Sequence, residues 1–154
     1  MSPIRRVSWA HVIGILEKYL SLRADWPVTS PLGKLNEGGT DDVHRGESGT
    51  LVWLVDVGTC LERLPAEERE TVIEVAHVRR AEDSAAAKAR NAAWKSRRSG
   101  AIHDVRDAHA RTRQEWRKIA DEHQQRRRRM ERRKAYRAGM DRLTVIVAEV
   151  VKRA

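Results

Sequence analysis

Residues 84–95 read SAAAKARNAAWK, within a polar stretch that runs from Arg79 to Arg98. Alanine has the highest helix propensity of all residues, so the stretch predicts a helix. The only turn signal between Arg79 and Gly139 is Ser99-Gly100. The chain should therefore fold back there, as an antiparallel helical hairpin that includes residues 81–112. Close packing would place three alanines against the returning helix: Ala86, Ala89 and Ala93.

The returning helix carries a weak heptad seam. Its apolar and weakly polar residues alternate steps of three and four, which is typical of helices that pair along their length. The expected seam residues are Ile102, Val105, His109, Thr112, Trp116, Ile119 and His123.

The rest of the chain predicts further helices around a small core. Apolar residues recur at helical spacing over residues 4–23, 47–64 and 136–150, and acids open another helix after Pro65. Residues 24–46 hold two prolines and four glycines and predict a loop. A chain of 154 residues suits one domain. We expect an all-α protein with its core in residues 1–80 plus 113–154, and an inserted hairpin arm at 81–112.

The charge is distributed unevenly along the chain. Residues 1–76 contain 8 Lys/Arg and 12 Asp/Glu, whereas residues 77–142 contain 21 Lys/Arg and 9 Asp/Glu. The second region thus carries a net charge of +12 within a total of +9. Such an asymmetry indicates a polyanionic partner for this region. The preference for arginine suits bidentate contacts to phosphate or guanine.

Residues that could support catalysis or metal binding are scattered. The six histidines form no HxxxH pair, and the single cysteine, Cys60, allows no CxxC pair. Cys60 also has no candidate base beside it, and no glycine-rich phosphate loop is present. These patterns predict no enzyme, no metal and no cofactor. The lone cysteine and the lack of a long apolar run predict a cytoplasmic protein with no membrane partner.

Two stretches resemble phage transcription regulators. Residues 60–73, CLERLPAEERETVI, resemble the opening of sigma-factor region four, and Trp116-Arg-Lys-Ile119-Ala120 is similar to the element that precedes its recognition helix. Met130 matches an apolar position inside that helix. Residues 25–32, followed by Asp41-Asp42, look like the first half of phage antitermination protein Q. The chain departs from this pattern by the insertion at 81–112.

The resemblance implies that the protein acts in a bacterial host cell. It also implies a helix-turn-helix-like element in the second half of the chain. Its turn would fall at His123-Gln124-Gln125, where the family usually has glycine. A recognition helix would follow, which presents its first residues to the major groove of DNA. The expected DNA-binding residues are Arg126, Arg127, Arg128, Arg129, Arg132, Arg133, Lys134 and Arg137.

Two interpretations of the basic run QQRRRRMERRK, residues 124–134, follow. In the first, the protein is a DNA-binding phage-type transcription regulator, an activator of late genes or an antiterminator, that acts on promoter DNA or host RNA polymerase. In the second, it is a basic coiled-coil interaction or scaffold protein that binds RNA or protein by charge. A bend near His123 would favour the first, and one unbroken helix the second. The sequence leaves the oligomeric state open.

Overall fold

The computed structural model describes residues 7–25, 53, 55–100 and 102–153. Four helices are complete in these ranges: α1 (Trp9–Asp25), α3 (Ala66–Arg98), α4 (His103–Glu131) and α5 (Lys134–Arg153). A shorter helix, α2, covers residues 55–62. The described ranges contain helices and turns but no strand, which confirms the all-α class. The loop expected at residues 24–46 lies almost wholly outside them.

The chain divides into two compact units, residues 1–69 with 138–154, and residues 70–137. In the first unit, α1, α2 and α5 contribute apolar side chains at helical spacing to one core. Its buried residues include Val12, Leu16, Leu20, Val57, Leu61, Leu64, Met140, Leu143 and Val147. Trp9 belongs to the apolar spacing predicted over residues 4–23, but it is partly exposed, and its indole Nε1 donates a hydrogen bond of 3.1 Å to Asp141 Oδ1. The division predicted from the sequence, at residues 81 and 112, stays a prediction.

The second unit is built on the predicted helical hairpin. The pair of long helices, α3 and α4, is longer than the expected 81–112 segment, and it reverses at Ser99-Gly100 as predicted. Gly100 has a φ of 56°, in the left-handed region that glycine adopts without the steric cost of a Cβ. The Ser99 hydroxyl donates a 2.7 Å hydrogen bond to the carbonyl of Lys95 and so helps to end α3. The turn is therefore specified locally.

The residues that pair the two helices differ in part from the expected seam. Within the alanine-rich part of α3, residues 81–98, the buried alanines are Ala85, Ala89 and Ala92, of which only Ala89 was expected. Of the seam expected on the returning helix, Ile102, just before α4, and Val105 and Thr112 on α4 are exposed. Ile102 and Val105 lie at the tip, where the hairpin ends and little remains to cover them. The other four expected residues, His109, Trp116, Ile119 and His123, are half-buried, as predicted. The side chains that α4 half-buries or buries at steps of three and four are His109, Arg113, Trp116, Ala120, His123, Arg127 and Met130.

The turn predicted at His123-Gln124-Gln125 is wrong, because these three residues lie inside α4. No glycine or proline occurs between residues 101 and 138, and glutamine, glutamate and arginine are good helix formers. The helix-turn-helix element therefore does not form at this position. No separate recognition helix begins at Arg126.

The chain breaks its helix later, at Arg132 and Arg133. The amide of Arg133 donates to the carbonyl of Met130 at 3.0 Å, and α5 begins at Lys134. Met130 and Tyr136 are both buried. In one straight helix these two residues, six apart, would point about 120° away from each other. The break lets both side chains enter a core, although no local sequence signal marks it.

Candidate nucleic-acid interface

The eight cations predicted to bind DNA lie in the last turns of α4, in the break and in the first turn of α5. The structure divides them into two groups. Arg126 and Arg127 form ion pairs with carboxylates of α3 or α4. The other six have exposed side chains and pair with no carboxylate among the described residues.

Arg127 belongs to an ion-pair network that joins α3 to α4. Its guanidinium Nε lies 2.6 Å from Glu82 Oε2, and its Nη1 lies 3.1 Å from Glu131 Oε1. Glu131 also accepts a 2.9 Å hydrogen bond from Arg79 on α3. Only 17% of each of the Arg127 and Glu82 side chains is exposed. The hydrogen bonds to Glu82 raise the pKa of Arg127, so the side chain stays charged and is occupied within the hairpin.

Arg126 is held differently, although it is the neighbour of Arg127. Its Nη2 lies 2.9 Å from Glu74 Oε1, but 59% of the Arg126 side chain is exposed. Exposed ion pairs of this kind contribute little to stability, since water competes with both partners. Arg126 is therefore available to an incoming anion, at the cost of releasing Glu74.

We call the remaining six residues the corner cluster, because they surround the break between α4 and α5. They are Arg128, Arg129, Arg132, Arg133, Lys134 and Arg137. The unit that contains them, residues 70–137, has 20 Lys/Arg and 10 Asp/Glu. This excess of cations raises the positive electrostatic potential around the unit, and a positive potential attracts a polyanion.

One face of the run lines an open cleft of about 490 Å³. Arg126, Arg129 and Arg133 line it, as expected for arginines three or four residues apart. Met130 also lines the cleft, and the acidic side is formed by Glu74 and Glu122. The cleft can thus offer several guanidinium groups to one phosphate, and the ion pair between Glu74 and Arg126 would have to break.

Sequence reasoning missed a second set of cations, which we call the basic edge: Arg90, Arg97, Arg106 and Arg117. All four are exposed and have no ion pair with a carboxylate of the described residues. The first two lie seven apart on α3, and the last two lie eleven apart on α4. Both spacings return a residue to nearly the same side of its helix. The spacing of these arginines could therefore have been found in the sequence. It was missed because the arginines are seven or eleven residues apart and do not form a continuous basic run.

On α4 the basic edge lies on the side opposite Arg126. Arg117 precedes Arg126 by nine residues, which is a rotation of about 180° around α4. Eleven residues after Arg117 comes Arg128 of the corner cluster, so the edge continues toward the corner. Asp121, between them, is the acid that interrupts it on α4.

The described residues hold no group of three His, Cys, Asp or Glu side chains that could bind a metal ion. Cys60 is buried, and burial raises the pKa of its thiol. None of the helices in the described ranges is long and apolar enough to span a bilayer.

Comparison of the chain with family models, curated proteins and solved structures finds no match. The resemblance to sigma-factor region four and to antitermination protein Q stays a prediction.

Proposed function

We propose that this protein binds nucleic acid, with duplex DNA as the foremost ligand, through the corner cluster. The observation that carries the proposal is the exposure of all six corner cations without a carboxylate partner among the described residues. Cations that serve only the fold are expected to have partners, as Arg79 and Arg127 have. The corner cations instead meet solvent, where phosphate groups can reach them.

The ligand contacts would be made mainly to the phosphate backbone. Phosphate contacts position a protein on a duplex, and sequence is read by separate contacts to base edges in the grooves. Residues 126–131 end a long helix and do not begin one, so they lack the geometry in which a recognition helix presents its N-terminal residues. We therefore propose binding with a strong electrostatic component. Action as a transcription regulator, with RNA polymerase as a further partner, is supported by the resemblance alone.

The test compares two variants that lose the same charge. The first is Arg128→Ala with Arg132→Ala, in the corner cluster. The control is Lys18→Ala with Lys152→Ala, two exposed cations of the other unit that form no ion pair with a carboxylate of the described residues. Fluorescence anisotropy would measure the affinity of each for a labelled duplex between about 50 and 200 mM salt. Circular dichroism would confirm that both variants keep their helices.

The affinity of the unmodified chain should fall steeply with salt, because each neutralised phosphate releases counterions. The corner variant should bind more weakly, and its logarithmic salt slope should be shallower by about two. The control variant should change much less. Equal losses in both variants would show that net charge alone matters and would reject the corner cluster as the site.

A second candidate is a helical interaction or scaffold protein that binds RNA or protein by charge. The observation in its favour is that α4 is unbroken from His103 to Glu131, through the residues where a turn was expected. The same titration, repeated with RNA and single-stranded DNA, separates the candidates. A chain that binds none of the three nucleic acids at about 50 mM salt would leave protein binding as the better proposal.

A further inference from the structure

Trp94 is the most exposed tryptophan in the described part of the chain. It lies on α3, one helical turn before the hairpin ends, and 56% of its surface meets solvent. The guanidinium carbon of Arg98 lies 4.6 Å from the centre of its ring. One face of the ring is thus covered by a cation, while a large part of the indole remains open.

The surroundings of Trp94 are basic. Arg90 and Arg97, of the basic edge, lie four residues before and three residues after it on α3, so both are its neighbours on the helix surface. Trp116 on α4 offers a useful contrast, since Lys88 covers it at 4.2 Å and the ring is half-buried within the hairpin. An open indole among arginines suits a ligand that has both flat aromatic groups and negative charge.

We propose that Trp94 and Arg98 form a stacking site for unpaired nucleobases, so that the protein binds single-stranded nucleic acid along the basic edge. This inference rests on the proposed function, whose corner cluster supplies the main phosphate contacts. Every base has a π-face, and aromatic side chains in basic grooves bind single strands by stacking successive bases. In a duplex the bases are already stacked on each other, so Trp94 has no such partner there.

The distance between the two sites fits one strand. Trp94 lies twelve residues from Glu82 on α3, which is about 18 Å along the helix axis. Glu82 holds Arg127, the neighbour of Arg128 in the corner cluster. Single-strand sites commonly cover about 4–16 nucleotides, so one strand can contact Trp94 and the corner cluster together.

The experiment uses the full chain and two labelled strands of about 12 nucleotides. One strand is oligothymidine, and the other has the same backbone with abasic residues in place of the bases. The variants are Trp94→Ala and Trp94→Phe, with Ile102→Ala as the control. Ile102 is a similarly exposed apolar residue at the tip. Circular dichroism checks each fold.

Trp94→Ala should weaken binding to oligothymidine by roughly five- to 150-fold, the usual range for one stacked base. It should leave binding to the abasic strand and to duplex unchanged. Trp94→Phe should retain most of the affinity for oligothymidine, because it keeps an aromatic ring. Ile102→Ala should bind all ligands as the unmodified chain does.

Several outcomes would overturn the stacking site. Equal loss on the abasic strand would make Trp94 part of the fold or of a purely electrostatic contact. A loss in Ile102→Ala as large as that in Trp94→Ala would indicate a general apolar tip, suited to a protein partner. Duplex binding without binding to either single strand would reject the stacking site and leave the corner cluster intact. No binding to any nucleic acid would reject both proposals.

Discussion

Arg126 and Arg127 are adjacent arginines whose replacement should affect stability very differently. Arg127→Ala removes a guanidinium that makes two hydrogen bonds to Glu82, at 2.6 and 3.2 Å, and two to Glu131. Glu131 keeps Arg79 as a partner. Glu82, with 17% of its side chain exposed, loses its partner and remains a poorly solvated charge.

The cost can be estimated from the environment of these groups. Removing one partner of a fully buried ion pair costs about 3–5 kcal/mol, since it leaves an uncompensated charge. Exposed pairs contribute only about 0–1 kcal/mol. The Arg127 network is much nearer the first case, and we expect Arg127→Ala to lower the free energy of unfolding by about 2–4 kcal/mol. Arg126→Ala, at an exposed pair with Glu74, should lower it by less than about 1 kcal/mol.

Urea denaturation followed by circular dichroism measures both variants under the same conditions. The double variant Arg127→Met with Glu82→Gln tests the mechanism. This double variant has no unpaired carboxylate at position 82, so it should be more stable than Arg127→Ala alone. If Arg127→Ala lowers the free energy of unfolding no more than Arg126→Ala does, the Arg127 network does not stabilise the hairpin.

Two further predictions concern the first unit. Met140 is fully buried, so Met140→Ala should lower the free energy of unfolding by about 2–5 kcal/mol, whereas the exposed control Val145→Ala should change it by less than about 0.5 kcal/mol. Both are measured by urea denaturation, and similar losses would contradict the assigned core. Burial raises the pKa of Cys60 above its ordinary value of 9.0, so the folded state favours the neutral thiol. Unfolding then releases a proton at high pH, and this contribution to stability should fall as pH rises past about 9. Cys60 should react with a chromogenic disulfide only after denaturation, since the thiolate is the reactive form; rapid reaction in the folded protein would contradict this.

The features that the sequence predicts correctly have local causes. The hairpin turn follows from Gly100, whose positive φ is costly for other residues. The helix at residues 84–95 follows from alanine propensity. The helical stripe through Val12, Leu16 and Leu20 follows from spacing alone, and all three are buried.

The features that sequence reasoning misses depend on contacts between residues that are far apart in the sequence. Arg127 bonds Glu82 across 45 positions of sequence, and no local pattern distinguishes it from Arg126 or Arg128. The break at Arg132 and Arg133 has no glycine or proline to mark it, because it accompanies the burial of both Met130 and Tyr136. The expected turn at His123 came from a short resemblance, and helix propensity overrides it.

Four consecutive arginines on a helix cannot all serve one purpose, because each step rotates the side chain by about 100°. In α4 this rotation turns Arg127 toward α3, where Glu82 binds it, and turns Arg126 to one side, where Glu74 binds it. Arg128 lies on the side of α4 opposite Arg126, in line with Arg117. Arg129 lines the cleft that also contains Glu74 and Arg126. Of these four, only Arg128 and Arg129 form no ion pair with a carboxylate in the part of the chain that the structure describes.

This division decides how substitutions in the run must be interpreted. In a variant that removes all four arginines, a loss of nucleic-acid binding would have two explanations, because the loss of Arg127 alone is expected to weaken the hairpin that presents the corner cluster. Variants that spare Arg127 avoid this ambiguity. Arg128→Ala with Arg129→Ala removes two free cations and no ion pair in the described part of the chain. A loss of affinity in that variant, at unchanged stability, can therefore be assigned to contact with the nucleic acid.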